Sequence, residues 1–273
     1  MIIDGHAHLG GEYRDRESVI KTLDAAGADS VLICPADRER TRTLYIPGFS
    51  DRFSVDELNF IINRFIRRSF STGFRRDNIE EGNRKVYETA LASGGRIIQS
   101  FWADLCRSDV LDDLECKYEQ WKFRGIKLHQ SCNPFPVRSS VFRDLAAFAG
   151  EKGLPVFIHL HSGKDVADFI SVSKELKTVF ISGHLIGLDI FIENRARVGE
   201  NVFFDISCPP LVPQRRMARA LRAFGPGRLI MGSDTPYGRN NTIQIISRIR
   251  SMPVSDAEKD LILGNTLRDL LGI

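Results

Sequence analysis

Short apolar, β-branched runs alternate along this chain with longer stretches in which apolar residues recur at helical spacing. Eight runs read as strands: Met1 to His8, Ser30 to Pro35, Arg96 to Trp102, Gly125 to His129, Pro155 to His161, Val179 to His184, Val202 to Ser207 and Arg228 to Asp234. Helical periodicity fills the gaps at Arg16 to Ala26, Ser54 to Ser93, Asp109 to Phe123, Val141 to Lys152, Asp165 to Lys177, Leu188 to Val198 and Pro213 to Phe224. Ser54 with Glu57, and Ser255 with Glu258, have capping-box spacing, while Gly27, Gly125, Gly153 and Gly225 sit where helices should end. Strand and helix in strict alternation, repeated eight times, predict an α/β fold, a parallel (β/α)8 TIM barrel.

The chain between Pro35 and Arg96 is far longer than one βα unit needs, so an insertion follows strand two. Within it Leu58, Ile61, Ile62, Phe65 and Ile66 repeat at helical spacing, which predicts a buried stripe with Arg64, Arg67 and Arg68 toward solvent. Loops after barrel strands carry substrate-binding parts, so this insertion is expected to overhang the mouth. With no linker or low-complexity tract, residues 1–273 read as one domain.

At 42% hydrophobic and 27% charged, the composition excludes disordered and membrane-spanning classes. The net charge of +3, from 38 basic and 35 acidic residues, gives no nucleic-acid footprint. Five cysteines without CxxC spacing read as reduced thiols, and Met1 to His8 carry no targeting signal, so a cytoplasmic location is expected.

Chemistry concentrates at the strand ends. Asp4-Gly-His6-Ala-His8 closes strand one, and alternation puts His6 and His8 on the same side, where two imidazoles can share an ion. His159 and His161 close strand five, His184 strand six and Asp234 strand eight. A barrel brings all these ends to one mouth, so residues distant in sequence can surround one ion. Imidazole and carboxylate suit Zn2+, with Mn2+ or Fe2+ as alternatives, and an open coordination position would activate a water.

The motifs DGHAH, GIKLH, PVFIHLHSG, ISGHLIG and LIMGSDTPYG, with the ending LILGNTLRDLLGI, resemble the amidohydrolase superfamily, in particular amidohydrolase family 2, over nearly the whole chain. That resemblance implies a distorted barrel and a metal-dependent hydrolase of small amides, lactones or esters. The alternative is a nonoxidative decarboxylase built on the same ligands. It further implies that His6, His8, His159 and Asp234 hold the metal, that Asp234 takes a proton from the activated water, and that His184 assists catalysis. His161 touches substrate or occupies the rim, and Lys127 orients substrate or, in a two-metal variant, bridges ions as a carbamate. His129 reads as a satisfied polar residue near the loop, and Asp4 orients a ligating histidine from behind. One divalent ion per chain, zinc first, is the expected cofactor. The expected partner is a small molecule, with a homo-oligomer left open. A TatD-type nuclease shares the HxH start but has a glutamate on strand four where this chain reads GIKLH. The arginine cluster, including Arg67, Arg68, Arg75 and Arg76, suggests a carboxylate on the substrate, against a solvated face as the plainer reading.

Overall fold

Eight parallel strands pair in chain order: β1 (Ile3–His8), β2 (Ser30–Cys34), β3 (Ile97–Trp102), β4 (Gly125–His129), β5 (Val156–His159), β6 (Phe180–Ser182), β7 (Val202–Asp205) and β8 (Leu229–Ile230). The structure, a computed structural model, describes residues 1–36, 56–71 and 77–273. The seam between β8 and β1 is joined by backbone hydrogen bonds, Gly5 N–H to the Met231 carbonyl at 2.9 Å and Asp234 N–H to the His6 carbonyl at 2.8 Å. Around the strands run α1 (Arg16–Ala26), α4 (Val110–Trp121), α5 (Ser140–Lys152), α6 (Gly163–Ser173), α7 (Leu188–Glu193) and α8 (Gln214–Phe224). The insertion holds α2 (Asp56–Ser71) and α3 (Asp77–Leu91), and the chain closes with α9 (Asn241–Arg250), α10 (Asp256–Asp260) and α11 (Thr266–Leu271). This is the expected (β/α)8 barrel with its insertion after β2.

Strands and helices form where local chemistry favours them. Asp15 caps α1 by accepting from Ser18 N–H at 2.8 Å, and Gly27 closes it in the left-handed conformation that glycine adopts without strain. Ser255 and Glu258 form the expected capping box at α10, whereas Ser54 lies outside the described residues. Gly125 does not end a helix. It is the first residue of β4, and α4 closes three residues earlier through Lys122 at φ 48°.

The interior of the barrel is plugged at its floor. Ile3, Leu32, Ile98, Phe157, Ile181 and Ile230 project inward from six strands and pack on Leu267 and Leu271 of α11. Ile3 and His6 should face opposite sides by simple alternation, yet both face the interior. The β1–β2 register explains this: Asp4 pairs with Val31 and Ala7 with Ile33, so three steps on β1 oppose two on β2. This bulge at Gly5 and His6 lets one strand supply an apolar floor and a histidine rim. Gly5 is required there, because an added Cβ would stand 2.7 Å from the Met231 carbonyl oxygen and 2.7 Å from Leu267.

The insertion helix is rotated part of the way round from its predicted orientation. Asp56, Asn59 and Asn63 of α2 are buried and Arg67 is half-buried, while Ile61 is 39% and Phe65 69% exposed. Leu58, Ile62 and Ile66 are half-buried, and Arg64 and Arg68 are exposed as expected. The periodicity was real but the apolar stripe does not mark the inward face, because this helix lies on a polar mouth rather than on a hydrocarbon core. Its N-terminus is clamped by the buried ion pair of Asp56 with Arg216 of α8, and the Asp56 carboxylate also accepts from the Asp189 amide at 2.9 Å.

Candidate metal centre

Three strand ends place His6, His8, His184 and Asp234 within one buried cluster. His8 Nε2 lies 3.5 Å from Asp234 Oδ1 and His6 Nε2 lies 3.8 Å from the same oxygen. The His6 ring centroid is 5.2 Å from that of His8 and 5.0 Å from that of His184, which in turn is 5.2 Å from that of His159. His184 and Asp234 both adopt positive φ, 54° and 57°, outside the strand geometry predicted for them. Their backbone N–H groups are held by the Asp205 carboxylate at 2.9 Å and the His6 carbonyl at 2.8 Å, so tertiary partners maintain conformations that non-glycine residues seldom adopt.

The hydrogen-bond partners assign the imidazole protons. Ser207 Oγ donates to Asp205 Oδ2 at 2.6 Å, which uses its only hydrogen. It must therefore accept from His6 Nδ1–H at 3.1 Å and His184 Nδ1–H at 2.9 Å. The Pro35 carbonyl, an obligate acceptor, takes His8 Nδ1–H at 2.8 Å. In each of the three rings Nδ1 is thus held by the chain and Nε2 is the nitrogen left to offer, and the Nε2 atoms of His6 and His8 face Asp234. That is the donor arrangement a divalent cation requires.

Charge is tuned by burial and neighbours. Burial, with Lys127 and His184 nearby, holds His6 well below its ordinary pKa. Burial likewise lowers His159, with His129 adding to it. For His8 burial opposes the proton, but Cys34 and Asp234 outweigh it and push the ring up to about 10. Burial would raise Asp234, yet His184, His8 and Lys127 together hold its carboxyl below the usual range. An ionised carboxylate beside the neutral rings of His6 and His159 suits a cation, which would displace the proton that His8 holds in its absence, and His159 Nδ1, buried and without a partner among the described residues, supplies a further unclaimed donor. The residues present fit a divalent metal.

The remaining expected residues are placed as follows. Lys127 Nζ lies 2.8 Å from His6 Nε2 and 3.9 Å from the Phe157 ring centroid, with burial lowering its pKa. His161 Nδ1 is 2.9 Å from Ser131 Oγ, and burial and then Arg67 lower its pKa. Asp4 touches no imidazole: it accepts from Ser233 N–H at 2.7 Å and Tyr13 O–H at 2.9 Å, tying β1 to the chain beyond β8. His129 stacks on His159, with centroids 3.9 Å apart and planes 12° apart, and also on Trp102, while its Nδ1 accepts from the Cys132 N–H at 3.3 Å. Arg67 Nη2 donates to the Gln130 carbonyl at 2.9 Å, and its buried Nε has no partner among the described residues. Arg75 and Arg76 lie outside the described residues.

Four residues entered the cluster without having been read from the sequence: Asp205, Cys34, Ser207 and Asn63. His6, His184 and Asp205 offer donor atoms within 4.8 Å of one another, as do His6, His8 and Cys34. Asp205 and Ser207 end strand seven with the same alternation that singled out His6 and His8, so strand-end logic applied to carboxylates as well as imidazoles would have found them. Asn63 had no such signal, since a helical asparagine is unremarkable until its partner is known.

The amidohydrolase family profile, Amidohydro_2, matches residues 3–273. No curated protein matches the sequence. Among solved structures, a 2,6-dihydroxybenzoate decarboxylase from Rhizobium is similar with a TM-score of 0.71 at 11% identity, covering 99% of this chain and 98% of that one. A probable 2-pyrone-4,6-dicarboxylic acid hydrolase from Acinetobacter baumannii, with citric acid bound, gives 0.68 at 13% identity over 100% and 99% of the two chains. A Polaromonas dihydroxybenzoic acid decarboxylase, with manganese and 2-nitroresorcinol bound, gives 0.67 at 10% identity over 99% and 96%. At such identities these likenesses establish the fold.

Proposed function

This chain belongs to the amidohydrolase family, and from that premise we propose a metal-dependent hydrolase, one domain over residues 1–273, that cleaves a small carboxylate-bearing lactone, amide or ester. His6, His8, His159 and Asp234 would hold one divalent ion, zinc on the strength of an imidazole-rich donor set. When bound, such an ion supplies Lewis acidity toward a carbonyl and toward the attacking water. The observation that carries the reading is the commitment of Nδ1–H on His6 and His8 to Ser207 and Pro35, which leaves Nε2, facing the Asp234 carboxylate, as the nitrogen each ring has to offer.

Asp234, held ionised, accepts the proton of the attacking water and returns it to the leaving group. His184 keeps its Nε2 as an acceptor while Ser207 and Asp205 fix its other nitrogen, so it can hold a second proton beside the reacting carbonyl. Burial of the cluster keeps competing water away from these transfers. At the rim, Arg67 with its unclaimed Nε lies beside His161 and supports a carboxylate on the substrate.

Five cysteines, none of them in a disulfide, support a reducing, cytoplasmic setting. No helix among the described residues is long and apolar enough to cross a membrane.

The test combines metal analysis of the purified protein with two assays run side by side: hydrolysis of a panel of lactones and amides, and CO2 release from aromatic and unsaturated acids. Hydrolysis with one ion per chain supports the proposal. CO2 release without hydrolysis would replace it with the decarboxylase reading, which the same donor set and the decarboxylase folds at TM-scores of 0.71 and 0.67 also suit.

A further inference from the structure

His159 differs from the other three imidazoles of the cluster. Their Nδ1 atoms are held by the chain, whereas in His159 it is Nε2 that is held, 2.8 Å from Asn63 Oδ1, while Nδ1 is buried with no partner among the described residues. We propose that Asn63, on the insertion helix α2, is a positioning residue that fixes His159 as the Nε2–H tautomer and thereby makes Nδ1 the nitrogen offered to the metal. The inference rests on the metal-centre reading above and names how one of its ligands is set.

The argument depends on which way the Asn63 amide faces, and its surroundings settle that. Asn63 Nδ2 lies 2.9 Å from the Leu160 carbonyl and 2.9 Å from the His161 carbonyl. Both are acceptors only, so both must receive amide N–H groups, and the two hydrogens of the amide are then fully used. A flipped amide would set its oxygen against two carbonyl oxygens in a site where Asn63 is 1% exposed. Oδ1 is therefore the atom facing His159, and as an acceptor it requires a proton on Nε2. A neutral imidazole has one such proton, so Nδ1 carries the lone pair.

Two further contacts make this a rigid device. His129 stacks face to face on His159 and fixes the plane of the ring, while Asn63 fixes its rotation within that plane. Asn63 is itself pinned to the two residues that follow His159, so helix and ligand move as a unit. The buried face of α2, with Asp56, Asn59 and Asn63, is thus explained: an element expected to bind substrate also orients a metal ligand. Partners of this kind commonly change metal affinity by about 10- to 100-fold when removed.

The decisive measurement is the tautomer itself. In full-length protein labelled with 15N-histidine and stripped of metal by a chelator, long-range proton–nitrogen couplings report which ring nitrogen carries the proton, and His159→Gln identifies the resonance. The expected result is Nε2–H in the wild type and a mixture of tautomers in Asn63→Leu. Zn2+ affinity, read by chelator competition, should fall about tenfold or more in Asn63→Leu. A proton on Nδ1 of His159 in the wild type overturns the proposal, as does wild-type Zn2+ affinity in a folded Asn63→Leu. If the leucine variant does not fold, the wild-type tautomer decides. Failure of the underlying reading looks different: the wild type would bind neither Zn2+ nor Mn2+, whatever its tautomer.

Discussion

Breaking the Asp56–Arg216 pair should loosen the insertion helix and lower the stability of the whole barrel. Arg216 is 2% exposed and Asp56 5%, so removing either leaves the other charged in a nearly dry site. Severing a buried pair in this way costs about 3–5 kcal/mol. In Asp56→Leu, Arg216 keeps the Leu185 carbonyl at 2.8 Å and Asp189 at 3.9 Å, which places the loss at the lower end, about 3 kcal/mol. The Asp189 amide also loses its acceptor, which prevents a smaller figure. At about 2 °C per kcal/mol for a domain of this size, Tm should drop by about 6 °C. Burial raises the pKa of Asp56 even with Arg216 and the Asp189 amide opposing it, so the desolvation of the pair is only partly offset. Asp56→Leu combined with Arg216→Met should therefore recover most of the lost Tm. Scanning calorimetry of the wild type, both single variants and the double variant completes the cycle. Single variants within about 1 °C of wild type, or strictly additive losses, would refute the claim that this clamp holds α2 to the barrel.

Asp234→Asn should lose turnover more completely than it loses Zn2+, since an amide can still coordinate through oxygen but cannot accept a proton near neutral pH; near-normal turnover with metal retained would transfer that role to His184. Metal analysis should find one divalent ion per chain, and two ions with a carbamate on Lys127 would replace the single-ion reading. Arg67→Ala should reduce kcat/KM on a carboxylate-bearing substrate about tenfold, or about 1.4 kcal/mol, and leave neutral analogues unaffected; equal losses on both would return Arg67 to a structural role. Lys164 first and then Arg138 hold Asp168 below the ordinary carboxylate range, so its stabilisation is present at neutral pH and disappears as pH falls through its folded pKa. Asp168→Asn should accordingly flatten the fall in Tm of metal-free protein below about pH 4, and an unchanged acid limb would count against the pairing.

Some of this protein was legible along the chain because the information was local. Alternation of strand and helix periods carries the barrel, since each period reports which face of one element is apolar, and eight such units close in only one common way. Strand ends carry the histidines and Asp234, since a barrel sends every such end to one mouth. Other features depended on contacts between distant segments. Gly5 looked like part of a motif, but only the β1–β2 register shows that a bulge there lets Ile3 and His6 share the interior. The α2 periodicity located a helix without saying which face turned inward, because inward is defined by the neighbour: against the polar mouth, Asn63 and Asp56 are covered and Phe65 is left outside. Ser207 and Asn63 have ordinary sequence contexts. Their importance lies in hydrogen bonds across more than ninety residues of chain to His6 and His159, and such bonds fix protons that no local pattern encodes. Hydrophobic period is a property of one segment, whereas a tautomer belongs to a pair of groups, and only folding brings that pair together.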